Sequence, residues 1–339
     1  MIDSKIDRKN FKNIELNYNG ECRLESLEVG ITSKCNFRCD YCCAYKEEEN
    51  VILPAQTIIN IIKDLPDLKR VKLSGGEVLI KFEECLKVIK FCAAHGIHIQ
   101  VNSNGSLLDE EKIKTLQNAG LNTLHFSFNF VNAKKFSNFY KVKEEVFYKI
   151  IDNVKMAAQS PPMDVIAETI IFGDTEDNLI EIHNLIYNMG VRKQEMQCGI
   201  PTSEWTSKSI TPPEKLAHAI DSLIINKKPE MQLYFSCWGT HINSDSAFYP
   251  LISNHFDKEG VYFCKCIDGK RQLHLHTNGD ILICELGYPV VIGNIFLNPS
   301  ALKTIYADIP KKLTDFIKSH NCIKANKARI AINKEIAVA

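Results

Sequence analysis

Apolar and polar positions follow two rhythms along residues 24–200. Short runs such as LESLEVGIT (24–32), KRVKLS (69–74), IHIQVNS (97–103), TLHFSFN (123–129), DVIAETIIF (164–172) and RKQEMQCGI (192–200) have the character of strands. Between them, LPAQTIINIIKDL, FEECLKVIKFCAAHG, DEEKIKTLQNAG, EEVFYKIIDNVKMAAQ and DNLIEIHNLIYNMG repeat apolar residues every three to four positions, the period of a helix. Gly96, Gly120 and Gly190 stand where three of these helices should end. Six strands, each joined to the next through a helical segment, predict an α/β fold. The expected form is a partial (β/α)6 barrel of parallel strands over residues 24–205, after an N-terminal segment of residues 1–23. In such folds the loops at the C-terminal ends of the strands meet at one rim, where ligands bind.

After residue 200 the texture changes. PTSEWTSKSITPPEKL is a polar, proline-containing link, EKLAHAIDSLIINK reads as a helix, and 231–263 shows no clear period. RQLHLHTNGDILICE then predicts a hairpin turning at Asn278-Gly279. Residues 206–339 are therefore expected to form a second, smaller region built on this β-hairpin. The final ARIAINKEIAVA reads as a short strand or a frayed tail.

Composition narrows the function classes. Lys plus Arg and Asp plus Glu are equal at 41 each, so no net field recruits nucleic acid or membrane. No apolar run approaches the roughly 20 residues of a membrane-spanning helix. The first residues carry no hydrophobic signal core, and a cytoplasmic location is expected. Thirteen cysteines then stand out. A reducing compartment and an odd count both argue against a disulfide framework. Cys85 and Cys92 fall on the apolar face of a helical pattern and read as core residues.

The others cluster. Cys35-x3-Cys39-x2-Cys42 follows the first strand, with Cys43 adjacent. Structural zinc usually takes four ligands from two matching pairs, and no second pair closes the set nearby. Three thiolates on one compact loop suit a four-iron cluster with one iron left without a protein ligand. Zinc remains the alternative reading.

This triad, placed directly after the first strand of a β/α barrel, resembles the radical S-adenosylmethionine (SAM) superfamily. The resemblance implies a 4Fe–4S cluster on Cys35, Cys39 and Cys42 whose open iron takes SAM. Reductive cleavage of SAM would give a 5′-deoxyadenosyl radical that abstracts hydrogen from a substrate. It implies SAM contacts by Gly75, Gly76 and Glu77 in Ser74-Gly75-Gly76-Glu77, where glycines allow close approach and a carboxylate balances an ammonium. It further implies roles for Asn104 after strand three, Ser127 and Asn129 at the end of strand four, Tyr41 beside the adenine, and Gly199 and Ile200 after strand six. Arg38 and Asp40 read as a solvated loop pair.

Cys266-x12-Gly279-x4-Cys284 resembles the start of the C-terminal extension called SPASM, or its shorter twitch relative. That implies one auxiliary iron–sulfur cluster on Cys266, Cys284 and Cys322, with Cys264 or Cys237 as a fourth ligand. The alternatives are a hairpin without its cluster, or zinc. His274 and His276 alternate on one side of the strand entering the hairpin, either toward substrate or on the surface.

The activity expected from the resemblance is a radical SAM enzyme of oxidoreductase or epimerase type. Its expected substrate is a small natural-product molecule of sugar, aminosugar or nucleoside type, because about 23 residues before strand one are too few for a leader-binding domain. Modification of a ribosomally made peptide is the alternative. A non-catalytic zinc or iron–sulfur sensor is a third reading. Cys198 and Cys237 are candidate hydrogen donors for epimerisation. Reduction would come from a flavodoxin or ferredoxin, and no nucleic acid or membrane partner is expected.

Overall fold

The computed structural model describes residues 24–42, 51–200, 204–236, 242, 245–264, 268, 271–284 and 291–304. The six expected strands are present as β1 (Ser26–Thr32), β2 (Arg70–Gly75), β3 (His98–Ser103), β4 (Thr123–Ser127), β5 (Asp164–Ile171) and β6 (Lys193–Cys198). They lie side by side in chain order, every neighbouring pair parallel. Helices α1 (Ala55–Lys63), α2 (Phe82–Ala94), α3 (Glu110–Asn118), α4 (Ala133–Tyr140), α5 (Glu145–Ala158) and α6 (Leu179–Asn188) fill the crossovers.

Local chemistry sets these elements. Asp109 begins α3 by accepting from the Lys112 amide at 2.8 Å, and Asn132 begins α4 by accepting from the Lys135 amide at 3.0 Å. The three expected C-terminal glycines adopt positive φ, at +68° for Gly96, +89° for Gly120 and +88° for Gly190. One face of each strand is apolar and buried beneath the helices, with Val29, Leu73, Val101, Leu124 and Phe126 in one continuous core. The opposite face is polar, with Glu28, Lys72, Asn102, His125, Glu168 and Glu195 at alternating positions. A sheet that hides charge on its inner face encloses a site there.

Several elements were not expected. Helix α4 lies within the crossover from β4 to β5, ahead of α5. Beyond β6 the sheet continues through β7 (Gln232–Ser236) and β8 (Val261–Phe263), both parallel, in the stretch that showed no period. Strands of five and three residues are too short to display one. Helix α7 (Glu204–Lys208), also unexpected, and α8 (Pro213–Ile225), the helix expected over EKLAHAIDSLIINK, precede β7. Helix α8 packs Leu216, Ile220 and Leu223 into a smaller core with Met196, Cys198 and Phe235.

The hairpin is present as β9 (Gln272–Leu275) and β10 (Asp280–Leu282), antiparallel, with Gly279 at φ +85° in the turn and β11 (Val291–Asn294) beside β10. It does not stand apart. Strand β9 pairs in parallel with β1, so one 11-stranded sheet runs β11-β10-β9-β1-β2-β3-β4-β5-β6-β7-β8. No helix among the described residues is long and apolar enough to cross a membrane.

Candidate functional site

The end of β1 carries the cysteine loop. Ser33 donates its amide to Val51 at 3.1 Å, and Leu53 donates to Ile31 at 2.9 Å, so the chain after the loop returns along the strand it left. The loop rests on α4: Phe37 is buried against Phe136 and Tyr140, at centroid separations of 6.1 and 5.5 Å. The Arg38 amide donates to the Tyr140 carbonyl at 3.0 Å, and Asp40 pairs with Lys141 at 3.1 Å. The expected Arg38–Asp40 pair is thus replaced. Arg38 instead donates to the carbonyls of Cys35 and Phe37, both at 2.7 Å.

Held this way, Cys35, Cys39 and Cys42 all line one cavity of about 460 Å³, within the size range of ligand pockets. Burial pushes the Cys39 thiol well up, and the neighbouring Cys42 and Cys35 push it further. Burial also raises Cys35, against a hydrogen bond from the Phe37 amide to its sulfur at 3.3 Å. Three half-buried sulfurs that disfavour one another as thiolates need a shared cation, which an iron cluster provides. The donor set therefore fits a 4Fe–4S group.

The loop after β2 is strapped to the start of the cysteine loop. The Gly76 amide donates to the Thr32 carbonyl at 2.7 Å and the Glu77 amide to the Lys34 carbonyl at 2.8 Å. A Cβ on Gly76 would lie 2.2 Å from the Lys34 oxygen, so only glycine permits this approach. Gly75, at φ +131°, has the same restriction against the Thr32 oxygen. Both glycines line the cavity, together with Tyr41, Asn104 and Ser127.

Glu77 is placed differently from the expected SAM contact. Its side chain is turned inward, 1% exposed, and accepts from the Leu79 amide at 3.0 Å, the Ser103 hydroxyl at 2.8 Å and the Asn104 amide at 2.8 Å. It ties the glycine loop to the end of β3. Asn129 is also committed internally, donating to the Tyr140 hydroxyl at 2.7 Å and accepting from the Ile170 amide at 2.7 Å. Gly199 and Ile200 are described but do not line the cavity, and the Gly199 amide donates to Ile171 at 3.1 Å. Cys198 is buried on the α8 side of the sheet with Met196, facing away from the cavity.

Cys264, at the end of β8, alternates with Tyr262 and so falls on the inner side, where burial pushes its thiol up to about 12. Cys284 is buried at the end of β10 and hydrogen-bonds Asp268. Cys237, Cys266 and Cys322 lie outside the described residues. Among the described residues no three side chains, the Cys35–Cys39–Cys42 triad included, converge on a single metal ion, and a four-iron cluster, whose ligands each hold a different iron, does not require them to. His276 lines the cavity, while His274 is buried between Asp268 at 3.2 Å and Glu28 at 3.8 Å, so neither is a surface residue.

Glu28, His125 and Glu168 on the inner face were not singled out from the sequence. Their signal was present all the same: a charged residue at alternate positions of strands whose other positions are apolar, as in SLEVGIT and TLHFS.

Known proteins share this fold. The pattern of the radical SAM superfamily matches residues 29–186. That span begins in β1 and ends in α6, and it contains the triad and the glycine loop. The superfamily uses a 4Fe–4S cluster and SAM. The Bacillus subtilis protein YfkA is 22% identical over 330 residues, covering 91% of this chain and 88% of that protein. The GTP 3′,8-cyclase of Aquifex aeolicus is 28% identical over 178 residues, half of this chain and 54% of the cyclase. Among solved structures, Streptococcus suis SuiB bound to its precursor peptide SuiA superposes with a TM-score of 0.67 at 15% identity, over 90% of this chain and 71% of SuiB. The enzyme anSMEcpe with bound AdoMet and Cp18Cys peptide gives 0.56 at 14% identity, over 89% and 83%.

Proposed function

We propose that this chain, a radical SAM protein through residues 29–186, abstracts hydrogen from a small polar substrate seated inside the curved sheet. The observation that carries this reading is one continuous cavity. It runs from the three cysteines, past the Gly75-Gly76 loop, to charged side chains on the inner face of β1 and β5. Cys35, Cys39 and Cys42 hold the iron, and Gly75 and Gly76 bring backbone close enough to bind the amino-acid end of SAM. Tyr41 packs on Phe139 and Phe172 at 5.4 and 5.8 Å, forming an aromatic wall for the adenine. Asn104 and Ser127 supply polar contacts between these two ends. When bound, the cluster and SAM supply reductive cleavage to a 5′-deoxyadenosyl radical.

A flavodoxin or ferredoxin would supply the electron for SAM cleavage in this reading. Oxidation would then need the substrate radical to lose an electron to an acceptor such as the auxiliary cluster and a proton to solvent. Epimerisation would instead need a hydrogen donor, and Cys198 faces away from the cavity. Cys284, presented by the Asn-Gly hairpin, supports an auxiliary cluster completed by Cys266 and Cys322, with Cys264 or Cys237 as a fourth ligand. Iron content separates the cases: about four irons per chain for the first cluster alone, and about seven or eight with the second.

The test is anaerobic reconstitution followed by dithionite and SAM. The wild-type protein should turn brown and release 5′-deoxyadenosine. Cys35→Ala, Cys39→Ala and Cys42→Ala should each lose the cluster's visible absorption and reduce release by about a hundredfold or more. A colourless protein binding one zinc would refute the reading.

A further inference from the structure

Beneath the cysteine loop the inner face of the sheet holds four carboxylates, Glu28, Glu168, Glu195 and Asp268, around the Lys72 ammonium and the imidazoles of His125 and His274. Two carboxylates are well matched. Asp268 accepts from Gln272 at 2.9 Å and lies 3.2 Å from His274. Burial would raise it, but the His274 charge and hydrogen bond hold it below the ordinary range. Glu195 lies 3.5 Å from His125 and is likewise held low, the imidazole outweighing burial.

Glu28 and Glu168 differ. Their side chains are only 14% and 16% exposed, and both line the cavity. Neither carboxylate makes a hydrogen bond among the described residues. Glu28 is 3.9 Å from Lys72 and 3.8 Å from His274, and Glu168 is 3.6 Å from His125. His125 lies between the two acids Glu168 and Glu195, its Nδ1 3.6 Å from the first and its Nε2 3.5 Å from the second, and it does not itself line the cavity. Buried carboxylates are costly unless a charged donor reaches them. Among the described residues, Arg70 acts on Glu195 and Lys193 pairs with Asp164. Lys72 is therefore shared between Glu28 and Glu168, and both acceptors open on a space large enough for a ligand.

We infer that Glu28 and Glu168 bind the substrate through a protonated amine, which would supply both the missing positive charge and the missing N–H donors. A hydroxyl would supply only the donors. Burial pushes the Glu168 carboxyl up, as expected of an acid whose counter-cation arrives with the ligand. The inference rests on the preceding reading, that substrate occupies this cavity beside SAM.

Matched probe pairs test it on the reconstituted full chain with SAM present. Glucosamine against glucose represents a small molecule, and N-acetyl-lysine amide against N-acetyl-norleucine amide represents a peptide side chain. Ligand-observed NMR titration gives each dissociation constant. In at least one pair the amine should bind about tenfold or more tightly than its neutral partner, and the pair that responds identifies the source. Glu168→Gln and Glu28→Gln should each shrink that ratio by about threefold or more. Equal affinities within both pairs, or no binding of either amine up to about 10 mM, overturns the inference from the wild type alone, whether or not the variants fold. An undiminished amine ratio in both variants overturns it, and so does loss of SAM affinity in Glu168→Gln to the same degree, which would assign the carboxylate to SAM. Release of 5′-deoxyadenosine by the same preparation, without a probe, tests the preceding reading separately.

Discussion

At the residue scale, Glu77 shows how much of a site can be a matter of support. One buried carboxylate receives three donors from two loops, and those loops carry Gly75, Gly76 and Asn104 to the cavity. Glu77→Ala should therefore cost about 2–5 kcal/mol, measured as a fall in urea midpoint at constant slope, because three buried donors lose their acceptor together. Burial raises this carboxyl while the three donors pull it back, with the balance upward. A raised acid contributes stability that is fully present below the ordinary glutamate range and is lost as pH rises through its folded value. The penalty should accordingly be larger near pH 4 than at neutral pH, and a penalty that grows with pH would contradict this sign. The Gly-Gly-Glu run was legible in the sequence, but the direction of its glutamate was not. Nothing in SGGE distinguishes a carboxylate facing a ligand from one facing Ser103. Cys198 teaches the same lesson: strand alternation puts it on the opposite face from Glu195, toward α8, a parity that only the register resolves.

At the element scale, α4 is the support that the strand-and-helix rhythm concealed. Its sequence AKKFSNFY places Phe136, Phe139 and Tyr140 at helical spacing, but eight residues between two better-marked elements read as connection. Those three rings form the pad on which the cysteine loop sits, Phe37 on Phe136 and Tyr140, and Tyr41 on Phe139. Phe136 is 2% exposed, and Phe136→Ala should cost about 3–5 kcal/mol through the cavity it leaves. If the pad also orders the loop, iron incorporation during reconstitution should fall further than global stability explains. Comparison with a similarly destabilising change remote from the loop, such as Ile220→Ala under α8, makes that measurable. Equal iron loss in both variants would reduce α4 to ordinary packing. The longer helices, their terminal glycines and the Asn-Gly turn were all readable because each carries its own local signal. The short strands β7 and β8 carry none, and long-range pairing alone makes them strands.

At the scale of the whole molecule, the expected boundary after residue 205 does not coincide with a break in hydrogen bonding. Strand β7 continues the sheet from β6, and β9 returns to pair with β1, so chain from beyond the boundary covers both edges of the six-stranded core. Inner-face charges are shared across it as well: Glu28 on β1 faces His274 on β9. A sheet edge left bare offers unpaired backbone and, here, buried charge without its partners. Residues 24–304 should therefore unfold as one cooperative unit, with coincident far- and near-ultraviolet circular dichroism transitions. A fragment ending at residue 200 should fail to reach a soluble, cooperatively melting state. The radical SAM pattern matches only residues 29–186, so the fragment retains the whole matched span and the cysteine triad. If it folds, takes up iron and melts in a single sharp transition, the later strands are an accessory to the site. If it aggregates while the full chain stays soluble, they are part of the wall that encloses it.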